Sequence, residues 1–365
     1  MPNEFQPKVK GRLLDDGVSM FLEGGRVFEG WQDLSITKNI ESIAHGFTFS
    51  YDNKFDDLKT QWPIKPGEKV SINIGTERVI TGRIDRLDVD FSADSRSISV
   101  SGRSLAGDLV DCSVSGAKEF ENITIVNLAR ELVAPYKLQV FTSVESKTLD
   151  KFALKPGETV FQALDRAARV AGFFWISTRE GNIRLTRAAR ARATSQIHQD
   201  VNMLSGSIGF DESERFSQVT VIGQRSGLDN FPGTDATQAT GTSFDRGVTR
   251  FRPFVKIAES SVDSAQAKES AGWETSNRIA RGMTVKIETQ GWRQADGSLW
   301  GINQLIRIKS NILGIDTELL SSAVEQTKSS TGGTITNLTL VRKDSFKSEP
   351  EFAKDDDLLS LLGGG

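Results

Sequence analysis

Residues 69–89, KVSINIGTERVITGRIDRLDV, decide the fold class of this chain. Apolar and polar side chains alternate over the first six residues, Gly75 follows, and a second alternating run begins at Arg78. A period of two is the pattern of strands with one buried face, and a glycine between two such runs supplies a turn. The segment therefore predicts two β-strands joined by a tight connection.

The same period continues on both sides of this segment. The further alternating runs are 8–14, 26–38, 44–51 and 97–101. Several short strands at regular spacing are typical of a small antiparallel barrel or sandwich. We therefore predict a first barrel-like β domain over residues 1–105.

Helical periodicity appears in the next part of the chain. Apolar side chains recur at helical spacing over residues 125–133, and the pattern stops ahead of Pro135, as the restriction on pre-proline residues requires. Thr159 and Gln162 have the spacing of a capping box at the start of a second helix. Two strand-like segments follow, so we predict an α+β middle domain over residues 106–200.

Alternating segments return after residue 200. They are interrupted by one helical pattern at about 262–281, so we predict a second barrel-like β domain over residues 201–345 with an inserted helix. Its polar stretch 223–247 lacks any apolar period and predicts a long loop. Residues 346–365 carry five acidic and two basic side chains and end in three glycines, which predicts a flexible acidic tail.

The predicted fold class is accordingly mainly β with an α+β insert. Two small antiparallel barrel-like domains flank a helix-containing middle domain, and the acidic tail follows. The two β regions share a pattern of short strands and glycine turns, although their sequences do not align. We therefore expect them to be related by duplication of architecture.

The composition suits a globular protein and leaves few groups for catalysis. The 45 basic and 48 acidic side chains of the 365 residues give a net charge of −3, which does not favour binding of the whole chain to a polyanion. The one cysteine, Cys112, excludes an intrachain disulfide and a thiolate zinc cluster. Two histidines, His45 and His198, exclude a three-histidine metal centre. We expect an inert, mostly buried Cys112 thiol and histidines at the surface or its boundary.

Other sequence patterns for binding or catalysis are absent or incomplete. No glycine-rich loop of the dinucleotide or Walker type is present. No apolar run is long enough to span a membrane, and the first residues lack the pattern of a secretory signal. We therefore expect a protein that is made in a reducing compartment, is not an enzyme, and uses no cofactor, metal or catalytic residue.

One charge cluster stands out from this background. Within fourteen residues that contain a single acid lie Arg179, Arg184, Arg187, Arg190 and Arg192. Such a cluster suits an anionic partner, whether DNA phosphate, lipid headgroups or an acidic protein surface. A solvated strand face whose arginines form salt bridges elsewhere explains it equally well. We take these five arginines as the candidate anionic-partner patch.

Several motifs along the chain resemble those of a known family. The motifs are TGRID at 81–85, VSGRSLAGDLVDC at 100–112, GETVF at 157–161, RVAG at 169–172, VIGQ at 221–224, and ADGSLW at 295–300 with Asn303. Over roughly residues 8–342 the chain resembles the Mu-type bacteriophage tail protein P family, the baseplate hub proteins of contractile tails. The resemblance is close enough to suggest the hub protein of the family's type phage itself.

The resemblance implies a structural role in the tail baseplate of a virion, after assembly in the host cytoplasm. The family's hub is a homotrimeric ring that adapts the six-fold tail tube to the three-fold central spike. It leaves a channel through which DNA passes without specific binding. The implied partners are two further copies of the chain, the central spike protein, the tail tube and other baseplate proteins. The arginine cluster adds an electrostatic contact with the host membrane as a further candidate.

Two other function classes remain open. Residues 155–159, KPGET, precede a capped helix and resemble the opening of a LysM peptidoglycan-binding module. The alternative function is therefore a tail-associated protein that binds or degrades peptidoglycan, although the sequence offers no carboxylate pair placed for acid–base catalysis. A DNA-binding protein that uses the arginine cluster is the other class, and its binding would depend steeply on salt.

Overall fold

The computed structural model describes residues 8–9, 12–13, 16–53, 64–92, 96–116, 118–169, 171–188, 191–223, 239–258 and 263–346. Strands account for 49% and helices for 17%, so the prediction of a mainly β fold is confirmed. No helix in this part of the chain is long and apolar enough to cross a bilayer.

The described residues form two compact units. The first unit contains the described residues up to Arg169, together with Phe173–Ser207 and Val285–Leu340. The second unit contains Ile208–Thr284 and the described residues 171–172 and 341–346.

The N-terminal part of the first unit is a set of antiparallel strands. They are β1 (Lys8–Val9), β2 (Arg12–Leu13), β3 (Val18–Leu22), β4 (Val27–Phe28), β5 (Asp33–Asn39), β6 (Gly46–Asn53), β7 (Lys69–Ile74), β8 (Glu77–Phe91) and β9 (Arg96–Ser104). Hydrogen-bonded neighbours follow the order β5-β6-β9-β8-β7-β3-β4, while β1 and β2 pair with each other. The two strands predicted within residues 69–89 are β7 and β8, with Gly75 between them at a positive φ of 56°.

Alternate side chains of these strands build one apolar core. Met20, Ile36 and Phe49 are among its fully buried members. Two residues from a distant part of the chain, Trp292 and Leu299, complete the same core. Burying a side chain of this size contributes about 1.5–3 kcal/mol, so the distant segment is tied to this core by apolar contacts.

The middle part of the first unit is α+β. Its elements are α1 (Gly107–Asp111), β10 (Glu119–Thr124), α2 (Ile125–Val133), a 3-10 helix (Ala134–Tyr136), β11 (Val140–Thr142), β12 (Thr148–Ala153), α3 (Val160–Arg169), β13 (Phe174–Ser177) and β14 (Ile183–Thr186). The predicted capping box starts α3, because Gln162 N donates to Thr159 Oγ1 at 3.2 Å and Thr159 N donates to Gln162 Oε1 at 2.8 Å. β14 lies between β11 and β13 in a three-stranded sheet.

The C-terminal part of the chain contributes the remaining elements. They are β15 (Ile197–His198), β16 (Met203–Phe210), β17 (Gln218–Gly223), β18 (Ala239–Phe244), β19 (Pro253–Ile257), α4 (Ser264–Arg281), β20 (Met283–Gln290), β21 (Leu305–Ser310), β22 (Ile315–Ser329), β23 (Gly333–Val341) and a 3-10 helix (Lys343–Phe346). Six of these strands are neighbours in the order β15-β21-β22-β23-β20-β16. β22 also pairs with β5, from Ala323 opposite Asn39 to Lys328 opposite Leu34. This antiparallel pairing joins both strand sets into one 13-stranded sheet.

The two strand sets have the same topology. We call β3 and β5–β9 the first β subdomain, and β15, β16 and β20–β23 the second β subdomain. When the strands of each subdomain are numbered from one to six along the chain, they lie side by side in the order 1-4-5-6-3-2 in both. One pairing differs in direction, since β3 and β7 are antiparallel whereas β15 and β21 are parallel. The shared order agrees with the predicted duplication.

The second unit is inserted in the chain between β16 and β20. β17 lies between β18 and β19 in a separate three-stranded sheet, and α4 packs on β17 and β18. Gly241 in β18 lies so close to α4 that a Cβ there would be 1.9 Å from Lys268 N. The helix predicted at about 262–281 is α4. The single barrel predicted over residues 201–345 is therefore two separate parts in the structure. β17, β18 and β19 pair only with one another among the described strands, whereas β16 and β20–β23 belong to the 13-stranded sheet.

The prediction of a long loop over residues 223–247 is wrong for the C-terminal part of that range. β18 pairs with β17 along its whole length, from Ala239 to Phe244. Small side chains rather than an apolar period allow this strand to pack against the helix, which is why the sequence pattern missed it. Residues 224–238, and residues 347–365 of the predicted tail, lie outside the described residues.

Candidate anionic-partner patch and contacts between the β subdomains

Strand β14 sets the direction of Arg184, the second of the five arginines of the candidate patch. Ile183 and Leu185 are buried and Arg184 between them is exposed, because successive side chains of a strand point to opposite faces. Arg184 lies opposite Ile176 of β13 and opposite Phe141 of β11. Its guanidinium therefore belongs to the exposed face of this three-stranded sheet.

Arg179 lies in the turn between β13 and β14 and is fixed against β8. Its Nη1 is 3.4 Å from Glu77 Oε2, and its carbonyl accepts a hydrogen bond from Thr81 Oγ1 at 2.9 Å. Gly181 in the same turn has a φ of 85°, and a Cβ there would lie 2.8 Å from Thr81 O. The pKa of Glu180 is lowered, first by a hydrogen bond from its own backbone, and the charge of Arg179 adds to this effect. Part of the turn's positive charge is therefore neutralised locally.

The other three candidates follow β14. Arg187 has an exposed side chain, and its carbonyl accepts a hydrogen bond from Asn303 Nδ2 at 3.0 Å. Arg190 lies outside the described residues. Arg192 forms a two-pronged ion pair with Glu318, with Nε 2.5 Å from Oε1 and Nη2 3.1 Å from Oε2. The hydrogen bond from Arg192 lowers the pKa of the Glu318 carboxyl.

The structure thus divides the four described candidates into two groups. Arg179 and Arg192 form ion pairs with carboxylates on β8 and β22, as the interpretation of a solvated strand face requires. Arg184 and Arg187 are exposed and form no ion pair with another residue of the described ranges. These two arginines are the members of the candidate patch whose charge is not balanced by a carboxylate within the described ranges.

A buried arginine that the sequence search did not identify links the two β subdomains. The Arg293 side chain is 3% exposed, and its Nε donates to Asp16 Oδ1 at 2.7 Å. Its Nη1 donates to Glu77 Oε1 at 2.6 Å and to Gly297 O at 2.8 Å. The Glu77 carboxylate therefore accepts a hydrogen bond from Arg293 on Oε1 and another from Arg179 on Oε2.

The neighbouring tryptophan adds an apolar contact to this link. Trp292 is fully buried in the core of the first β subdomain. Its Nε1 donates to Thr327 O at 3.0 Å and to Ile335 O at 3.1 Å, so its polar atom is satisfied by the second subdomain. Periodicity identifies which residues are buried but not which core they enter. The motif at 295–300 was the sequence signal nearest to this contact.

The prediction of a surface or boundary position is wrong for His45. This residue is 5% exposed, and its backbone N donates to Ser104 Oγ at 3.1 Å. Burial, followed by the charge of Lys38, lowers the pKa of His45 to about 3. Burial also lowers the pKa of Lys38 to about 8; the charge of Arg179 lowers it further and that of Glu77 opposes the effect. The imidazole is therefore neutral at physiological pH.

The expectation of a mostly buried Cys112 is also wrong. Cys112 is exposed. It directly follows the end of α1, where its backbone N donates to Asp108 O at 2.9 Å. In the described ranges, no three His, Cys, Asp or Glu side chains are grouped in a way that could hold a metal ion.

Family models match successive parts of the chain. Residues 19–104 match the N-terminal domain of Mu phage baseplate assembly protein GpP-like proteins, and residues 106–187 match the second domain of baseplate hub protein gp44-like proteins. Residues 215–271 match the third domain of tail protein NMB1110-like proteins, and residues 263–349 match the fourth domain of Mu phage baseplate assembly protein GpP.

Full-length relatives agree with these matches. The chain is 34% identical to baseplate hub protein gp44 of Escherichia phage Mu over 333 residues, which cover 88% of this chain and 87% of that protein. This identity corrects the suggestion that the chain is the type hub protein itself. The 43 kDa tail protein of prophage MuSo2 from Shewanella oneidensis has a TM-score of 0.80 at 26% identity, covering 91% of this chain and all of that one. A tail protein from Neisseria meningitidis MC58 has a TM-score of 0.76 at 25% identity, covering 90% and 98%. The chain therefore belongs to the Mu-type family of phage baseplate hub proteins and is a structural component of the virion's tail baseplate.

Proposed function

We propose that three copies of this chain form the closed ring that connects the tail tube of the baseplate to its central spike. The observation that carries the proposal is the shared strand order of the two β subdomains, which lie side by side through the β5–β22 pairing. Three copies then present six similar subdomains. Such a ring offers near six-fold symmetry to the tube and true three-fold symmetry to the spike.

The ring leaves a passage through which DNA moves during ejection. A net charge of −3 on each chain supports this role, because dense phosphate contacts would retard the moving duplex. Besides the other two copies, the partners in this account are the central spike protein, the tail tube and the surrounding baseplate proteins.

Cryo-electron microscopy of assembled baseplates tests this arrangement. We expect three copies around the tail axis, with the two β subdomains of each copy alternating in a ring of six. A baseplate with six copies, or with one, would contradict the adapter role.

We propose further that Arg184 and Arg187, with Arg190 as their neighbour in sequence, contact an anionic surface. The supporting observation is that Arg184 and Arg187 are exposed and form no ion pair within the described ranges. An acidic protein surface, DNA phosphate and the headgroups of the host membrane share the chemistry that these side chains recognise. The isolated charges suit a weak, salt-sensitive contact.

A role without catalysis is part of the same proposal. The relatives named above are tail and baseplate proteins by description, which supports it. On a cell-wall zymogram we expect no clearing by this chain beside an active lysozyme control. Clearing would instead favour a tail-associated protein that degrades peptidoglycan.

A further inference from the structure

The three-stranded sheet of the second unit has one covered face and one uncovered face. Val221 of β17 is buried on the covered face, where it shares an apolar cluster with Ala267 and Ala271 of α4. Successive side chains of a strand point to opposite faces, so the alternate residues of β17 point away from this helix. We call Gln218, Thr220 and Ile222, together with the residues directly opposite them in β18 and β19, the open face.

The open face is uncharged and partly apolar. Its residues are glutamine, threonine, proline and apolar side chains, and Val255 is 56% exposed, Phe244 65% and Ile257 75%. On the covered face of β19, by contrast, Lys256 Nζ lies 3.2 Å from Glu274 Oε2 of α4. A sheet normally packs its apolar face against a second layer, and contiguous exposed apolar residues mark contact sites. Among the described residues, no such layer covers the open face.

The C-terminal segment, residues 347–365, starts from this same unit. The 3-10 helix Lys343–Phe346 packs on α4 and is the last element before the segment. The segment contains the run LLSLL at 358–362. The twelve residues from Phe346 to the first leucine span at most about 40 Å, whereas packed layers of secondary structure lie about 10 Å apart. The leucines can therefore reach the open face around an edge of the sheet.

Charges beside the open face complement those that precede the leucines. Residues 245–252 connect β18 to β19 at one end of this face. Arg246 and Arg250 of this connection are exposed, and neither forms an ion pair with another residue of the described ranges. Residues 355–357, directly before the leucines, are three aspartates. Attraction between these groups would place the aspartates at the connection and the leucines along β19 toward Ile257.

We propose that residues 355–362 dock on the open face of the same chain, with the leucines on Val255 and Ile257 and the aspartates beside Arg246 and Arg250. Burial of apolar side chains drives this contact. The exposed ion pairs contribute little affinity and fix its direction. The contact lies within one compact unit, so it does not depend on the proposed ring.

Cysteine cross-linking within single chains tests this docking. In a Cys112→Ser background, Ser360→Cys is combined with Val255→Cys and treated with a short bis-maleimide. The matched control combines Ser360→Cys with Ser276→Cys, because Ser276 is exposed on α4, the layer that covers the other face of the sheet. We expect linkage within the chain to be about ten-fold faster at Val255 than at Ser276, because docking raises the effective concentration of the thiols.

The same cross-linking experiment identifies a different occupant of the open face. Equal rates at Val255 and Ser276 would overturn the docking. Covalent dimers from the Val255 pair would assign the open face to the segment of a second copy and would likewise overturn docking within the chain. Replacing Arg246 and Arg250 together by glutamine should slow linkage at Val255 and leave linkage at Ser276 unchanged, because only the docked segment faces these arginines.

A fluorescent dye that binds exposed apolar surface, ANS, provides a second test without introduced cysteines. Replacing all four leucines of residues 358–362 by serine should raise the bound ANS fluorescence about two-fold, because it uncovers the open face. Phe352→Ser, in the same segment but outside the docking residues, is the matched control and should leave the fluorescence unchanged. Unchanged or lower fluorescence in the leucine variant would overturn the docking.

Discussion

Arg293 Nη1 donates a hydrogen bond to Glu77 Oε1 at 2.6 Å across 216 residues of sequence. Glu77 is the first residue of β8 in the first β subdomain, and Arg293 follows β20 of the second. Trp292 is buried in the core of the first β subdomain. Together with this apolar contact, the ion pair supplements the antiparallel pairing of β5 with β22. The two β subdomains are thus held together by backbone hydrogen bonds between strands, by apolar contacts and by an ion pair.

Replacing Arg293 by methionine should lower the free energy of unfolding by about 3 kcal/mol. The substitution leaves Glu77 and Asp16 without their buried cation, and removing one partner of a buried ion pair is strongly destabilising. Urea denaturation followed by circular dichroism measures the change. Arg192→Met is the matched control, because its pair with Glu318 is exposed and should contribute less. Equal losses in both variants would contradict the structural role of Arg293.

Alanine at two glycines of the second unit should have opposite effects. At Gly241, a Cβ would lie 1.9 Å from Lys268 N and 2.1 Å from Ala267 C in the helix backbone, so Gly241→Ala should cost about 1–3 kcal/mol. At Gly272 in α4, no atom lies within 4 Å of the added Cβ, so Gly272→Ala should stabilise the helix by about 1 kcal/mol. Thermal unfolding checks both, and a neutral Gly241→Ala would refute the close packing of β18 on α4.

The buried histidine predicts a pH dependence of stability. In the folded chain the pKa of His45 is lowered to about 3, first by burial and then by the charge of Lys38. The unfolded chain binds a proton on this imidazole near its usual pKa of about 6.5. The stability that His45 contributes is therefore complete above about pH 6.5 and is lost progressively toward about pH 3.

Thermal unfolding at about pH 7.5 and about pH 5 tests this dependence. We expect His45→Gln to lose less stability between these conditions than the unmodified chain. His198→Gln, at the half-exposed second histidine, should behave like the unmodified chain. The same slope in all three proteins would show that His45 does not stay neutral in the fold.

The charged patch predicts a difference between two double variants with the same net charge. Arg184→Gln with Arg187→Gln should weaken binding to anionic vesicles or DNA and flatten its salt dependence, because exposed phosphate contacts are lost. Arg179→Gln with Arg192→Gln removes two arginines that already face Glu77 and Glu318, so it should change binding little. Co-sedimentation across a salt series measures both. Equal effects would support the solvated-face interpretation.

Local patterns in the sequence predicted the elements that depend on neighbouring residues. The alternation at Val70, Ile72 and Ile74 predicted β7, and the Thr159 and Gln162 spacing predicted the start of α3. Both depend on interactions within a few residues, which a sequence displays directly.

Contacts between distant residues could not be predicted in this way. Nothing near Arg293 indicates that its partners are Asp16 and Glu77, and no periodicity marks β18, which packs through small side chains. The arginine cluster was visible, but its ion pairs with Glu77 and Glu318 depend on strands far away in sequence. His45 likewise contacts a residue that is distant in sequence, because its backbone N donates to Ser104 Oγ, 59 residues further along the chain.

The mass of the chain in solution tests the proposed ring most directly. Obligate interfaces commonly bury about 2,000 Å² or more, so the ring should persist at micromolar concentration. Sedimentation equilibrium should give a mass near three times 40.0 kDa. Chelator and reductant should leave it unchanged, since one cysteine and two histidines provide no covalent or metal clamp within each chain. A monomer or a dimer at micromolar concentration would contradict the account.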